Sequence, residues 1–130
     1  MQIPKTKNTN QKLKIEFKIR VYSYTVESLK FLNNIPDNKI NKIIFNQLIR
    51  SLTSIGANII EAKACNSKKD FARYFDISLK SANETKYWLC LLRDTDNSIN
   101  KVKIEETLKE TTEISNILAA SLLTMRNKQI

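Results

Sequence analysis

Any chemistry in this chain has to be done without histidine, because its 130 residues contain none. That removes the commonest general base, nucleophilic triads of the Ser-His-Asp kind and the commonest metal ligand. Cys65 and Cys90 form no Cys-x-x-Cys pair, so they cannot assemble a zinc site. They read as reduced thiols of a cytoplasmic protein, with Cys90 inside the apolar run Trp88-Leu89-Cys90-Leu91-Leu92. Glu105, Glu106, Glu110 and Glu113 form a dense carboxylate run. A di-iron site of the bundle type needs Glu-x-x-His pairs on several helices, so the run reads as a solvated face. No catalytic residue, metal or cofactor is expected.

Charge and polar patterning remain. Lys and Arg number 22 against 13 Asp and Glu, a net charge of +9. A basic domain attracts polyanions, with RNA or DNA as the default partner. Residues 1–30 hold 7 basic and 2 acidic side chains, over half of the excess. The candidate phosphate contacts are Lys12, Lys14, Lys18 and Arg20, with Lys68, Lys69 and Arg73 further on. Gln47, Arg50, Ser54, Asn58 and Glu61 follow at steps of 3, 4, 4 and 3, a polar stripe on one helix face. Ser81, Glu84 and Thr85 gather in the middle of another apolar-periodic stretch, where Ser and Thr are poor helix formers. These polar residues read as a network setting helix register or joining subunits, as a buried Asn does in coiled coils. The tyrosines and Trp88 read as core or interface.

The elements that must position these residues are helices. One Gly and two Pro, where about nine and six would be average, argue against hairpins, barrels and Gly-rich phosphate loops. Residues 1–10 lack periodicity and read as a flexible basic tail, with 127–130 as a second tail. A first helix over about 12–33 carries Ile15, Ile19, Tyr22, Val26 and Leu29. Pro36 breaks it, and Asp37 is placed to cap a second helix over 38–63 with Ile40, Ile44, Leu48, Leu52, Ile55 and Ile59. Ser67 and Asp70 resemble a capping box opening a third helix over 68–94, whose stripe includes Tyr74, Ile77, Ser78, Ser81, Thr85, Trp88 and Leu92. A fourth, over 101–126, carries Ile104, Leu108, Ile114, Leu118, Leu122 and Met125. Equal lengths and short connections predict an all-α, antiparallel up-down-up-down four-helix bundle at 11–126. No apolar run is long enough to span a membrane. Gly56, alone in mid-helix, predicts close approach by another helix.

From Gln47 onward the sequence resembles the four-helix-bundle proteins encoded in intervening sequences of bacterial 23S rRNA genes. That family's Gln-x-x-Arg-x-x-x-Ser-Ile-x-x-Asn-Ile-x-Glu pattern is matched by Gln47, Arg50, Ser54, Ile55, Asn58, Ile59 and Glu61. Lys69, Asp70 and Phe71 match its start to the third helix, and Ser81 and Glu84 its later Ser-x-x-Glu. Two departures are Ala62 and Lys80, where the family carries Gly. The resemblance implies a homopentameric ring of bundles. It also implies a relation to the accessory variability determinant of diversity-generating retroelements, which binds nucleic acid and associates with a reverse transcriptase. The expected function is a non-catalytic nucleic-acid-binding accessory protein; the alternative is a protein–protein scaffold ring with no direct nucleic-acid role.

Overall fold

A computed structural model describes residues 9–127, with side chains from Glu16 onward. Four helices occupy it: α1 (Thr9–Asn33), α2 (Lys39–Lys63), α3 (Lys68–Thr95) and α4 (Lys101–Asn127). Of the tails expected at 1–10 and 127–130, residues 1–8 and 128–130 lie outside the described residues, as do the side chains of Lys12 and Lys14, whereas Thr9, Asn10 and Asn127 belong to α1 and α4. At 1.5 Å per residue the helices are about 38–42 Å long, and each packs antiparallel on its neighbours. Ser54 meets Ser81, Lys86 meets Ser115, and Arg20 meets Glu110, which closes the cycle from α4 back to α1. Among the described residues, no helix is long and apolar enough to cross a membrane.

Three turns are made without any positive φ among the described residues, so capping side chains do the work of glycine. Asn38, not Asp37, caps α2: its carboxamide oxygen accepts from Ile40 N and Asn41 N, while Asn41 Oδ1 accepts from Asn38 N. Asn38 wins because it has the extended backbone that lets one oxygen reach two orphan amides. Ser67 accepts from Asp70 N at 3.1 Å, but the Asp70 carboxylate turns towards Arg73, 3.9 Å away, leaving half of the predicted capping box. Asn100 opens α4 by accepting from Val102 N and Lys103 N.

The core is an apolar column of Leu48, Leu52, Ile55, Ile59, Leu89, Leu92, Ile104, Ile114 and Leu118, all essentially unexposed. The stripes on α2 and α4 face it as expected, apart from Ile40, which is exposed in the first turn. The first helix is rotated from expectation, and the third faces the core as expected except at Ile77. On α1 the buried residues are Val21, Tyr24, Ser28 and Leu32, while Tyr22 is 47% exposed. On α3 they are Phe75, Ser78, Ser81, Ala82, Thr85, Leu89 and Leu92, while Ile77 is 38% exposed. The first helix is apolar on two sides, so periodicity offers two stripes and packing chooses one. Gly56 also departs from expectation. A Cβ built there would meet only Val21 Cγ1, at 3.5 Å, an ordinary contact, so no helix of this chain requires the glycine.

Candidate functional site

The polar stripe of α2 divides in two. Its inner part meets α3 along a seam of small residues. Ser81 donates to Ser54 Oγ at 2.9 Å, and Asn58 Nδ2 donates to both the Ser54 carbonyl oxygen and Oγ. Ser78 donates at 2.8 Å to the backbone oxygen of Ile55 on the facing helix. Thr85 Oγ1 lies 2.9 Å from Ser51 Oγ and 2.8 Å from the Ser81 carbonyl oxygen. A side chain as short as serine reaches a neighbouring backbone only when two helices lie close, so this seam fixes the spacing and register of α2 and α3. Ser51 joins it although the stripe omits it; its signal was its place on the core spacing between Leu48 and Ile55. Arg50, Glu61 and Glu84 stay on the surface with no ion pair among the described residues, and Gln47 is half-buried. Of the seven predicted network residues, Ser54, Asn58 and Ser81 are joined to one another within the protomer.

A second polar link joins α1 to α4. Tyr24 is buried and its hydroxyl lies 2.5 Å from Thr111 Oγ1. Thr111 already gives its proton to the Thr107 carbonyl oxygen, so Tyr24 is the donor. Beside it, Arg20 donates to both carboxylate oxygens of Glu110, at 3.0 and 2.5 Å, and to Glu113 at 2.7 Å. The Arg20 hydrogen bonds hold the Glu110 carboxyl below its ordinary range, against the opposing effect of burial. Arg20, expected at phosphate, is thus engaged with Glu110 and Glu113 within the fold. The Glu run is likewise no plain solvated face, since Glu105 pairs with Arg93 at 2.9 Å.

The remaining cations converge. The antiparallel path carries the start of α1 and the start of α3 to the same end of the bundle. Lys68, Lys69 and Arg73 are exposed on the first turns of α3, and Arg73 lies over the Tyr74 ring at 5.1 Å. Lys68 and Lys69 have no ion pair among the described residues. Lys18 is half-buried on α1, and Arg126 is exposed at the end of α4, which reaches the same end. The opposite end mixes Lys39, Lys42, Lys101 and Lys103 with Asp37, Asp94, Glu105 and Glu106.

Nothing in the described residues groups three or more His, Cys, Asp or Glu for a metal. Cys65 and Cys90 are both half-buried free thiols, so Cys90 is less enclosed than its apolar run suggested. Ala62, at a departure from the resembled pattern, is fully buried, while Lys80 is exposed and pairs with Asp76 at 3.2 Å.

A family model described as 23S rRNA-intervening sequence protein matches residues 13–120. Among solved structures, a protein of unknown function from the S23 ribosomal protein family of Bacteroides thetaiotaomicron is 36% identical in sequence. The match covers 82% of this chain and 97% of that one, with a TM-score of 0.71. No curated protein matches.

Proposed function

Since this chain belongs to the 23S rRNA-intervening sequence protein family, we propose that it is a non-catalytic accessory protein that binds nucleic acid through the basic end of its bundle. The observation carrying the reading is the convergence at one end of Lys68, Lys69 and Arg73 from α3 with the lysine-rich start of α1. Such cations contact phosphates, which confers affinity without sequence preference. In this reading the protomers form a homo-oligomeric ring, five-fold by resemblance, that repeats the basic end once per subunit. A reverse transcriptase is the partner if the retroelement relation holds.

Binding to RNA, followed by fluorescence anisotropy from 50 to 300 mM salt, tests this. Neutralising Z phosphates gives a log-log slope of about −0.9Z on duplex and −0.7Z on single strands, so a ring with several contacts should exceed about −3. Replacing Lys68, Lys69 and Arg73 by Gln should flatten the slope by about one unit or more. Arg20→Gln should leave it unchanged, because that guanidinium is held by Glu110 and Glu113. A shallow slope shared by all three proteins overturns the reading and favours the scaffold alternative, which the exposed Ile40 and Ile43 also suit.

A further inference from the structure

Two surfaces stand apart from the sites described: the face on α3 beside the seam and the groove between α1 and α2. The groove encloses about 290 Å³ and is lined by Val21, Tyr22, Gly56, Ala57, Ile59 and Ile60, with Lys18 at its rim. Two of its walls, Tyr22 and Ile60, are 47% and 44% exposed. Its floor is the only glycine in the chain. A mid-helix glycine is disfavoured relative to alanine, and since a Cβ would fit at 3.5 Å from Val21, packing within the protomer gives no reason to keep it. What the glycine preserves is the depth of the groove.

On α3, Ile77, Ser81, Glu84 and Trp88 recur at steps of 4, 3 and 4; Ser81 is buried in the seam, and Ile77, Glu84 and Trp88 make the ridge that flanks it. Ile77 is 38% exposed, and Tyr87, edge-on to Trp88, is 58% exposed. The Trp88 indole N–H is shut away from solvent with no acceptor among the described residues. An enclosed donor without an acceptor is rare in a completed structure. Glu84 on this ridge and Glu61 on the adjoining flank of α2 are exposed carboxylates with no ion pair among the described residues. Lys18 at the groove is likewise unpaired among the described residues.

We infer that the α3 ridge of one protomer seats in the α1–α2 groove of a second copy, with Glu61 and Glu84 facing its Lys18. The two surfaces differ, so the contact is head-to-tail, the kind that closes into rings. This rests on the assembly proposed above and assigns Lys18 to the contact rather than to phosphate.

Sedimentation velocity on four chains tests it: wild type, Ile60→Glu in the groove, Ile77→Glu on the ridge, and Leu123→Glu on the far side of α4, each checked for helicity by circular dichroism. Wild type and Leu123→Glu should assemble, and the other two should be monomers. An equimolar mixture of Ile60→Glu and Ile77→Glu retains one intact ridge and one intact groove, so it should form heterodimers and nothing larger. Independently, Glu84→Lys should weaken assembly by about tenfold at low salt, and adding Lys18→Glu in the same chain should restore it. A monomeric wild type sinks the ring reading itself. Assembled wild type that tolerates both Ile60→Glu and Ile77→Glu, or a mixture that stays monomeric, overturns this contact alone.

Discussion

Tyr24, Arg20 and Asp96 show how single side chains anchor elements that share little else. Replacing Tyr24 by Phe removes the buried donor to Thr111 and should cost about 0.5–1.5 kcal/mol, read by urea denaturation. The Arg20 fork is part-exposed, so Arg20→Gln should cost only up to about 1 kcal/mol. Asp96 is buried in the loop between α3 and α4, accepting from Ser98 Oγ, Ser98 N and Asn41 Nδ2. The Ser98 hydroxyl first, and then Asn41, hold its carboxyl below the ordinary range. Glu110 is lowered as well. Carboxyls that ionise more easily folded than unfolded stabilise the fold above the unfolded value, about pH 4. That contribution disappears as pH falls through the lowered folded values. Urea midpoints should therefore drop from pH 5 to pH 2. Asp96→Ala, costing about 1–3 kcal/mol at pH 7, should cost less as pH falls through the lowered folded value, where protonation weakens the bonds the wild-type carboxylate accepts.

Each helix depends on how its faces are matched. The α2–α3 seam works because Ser51, Ser54, Ser78, Ser81 and Ala82 are small enough to let two backbones approach. Ser78→Leu should force the helices apart and cost about 1–3 kcal/mol or more. Arg50→Leu and Glu61→Leu, on the outward half of the same stripe, should change protomer stability by under about 0.5 kcal/mol. Gly56→Ala should stabilise the protomer by up to about 1 kcal/mol, since the helix gains propensity and the methyl meets only ordinary contact. Thermal unfolding of the four variants compares the seam with the outward face of α2 directly.

Across the whole molecule, the fold is tight on one side and looser on the other. The groove on the α1–α2 side and a cleft of about 420 Å³ between α1 and α4 both lie against α1. By contrast, α2 and α3 meet in close hydroxyl contact. Hydrogen exchange should consequently open α1 first and the α2–α3 pair last, because exchange follows local packing and buried contact. Mass spectrometry of exchanged peptides reads this order; equal protection of α1 and α3 would contradict it. The electrostatic asymmetry is also a property of the whole: only antiparallel connectivity brings residues near 12–18 and 68–73 to one end.

Much of this was legible in one dimension. The scarcity of glycine and proline, Pro36 as a breaker and the uninterrupted stripes of α2 and α4 determined four helices and an all-α bundle, because periodicity and chain breaks are local properties. Ser54, Asn58 and Ser81 were legible as organised polar residues, since their spacing is helical. Which side of α1 turned inward was decided only by packing, because it carries two apolar stripes and the buried one is whichever fits the other helices. The same limit applied to charge: Arg20 looked like Lys18 in sequence, and only the arrival of Glu110 and Glu113 from 90 residues away separated a clamped guanidinium from a free ammonium. Gly56 was visible as an anomaly from the start, but its meaning lay in the space above it, which exists only once α1 is laid across α2.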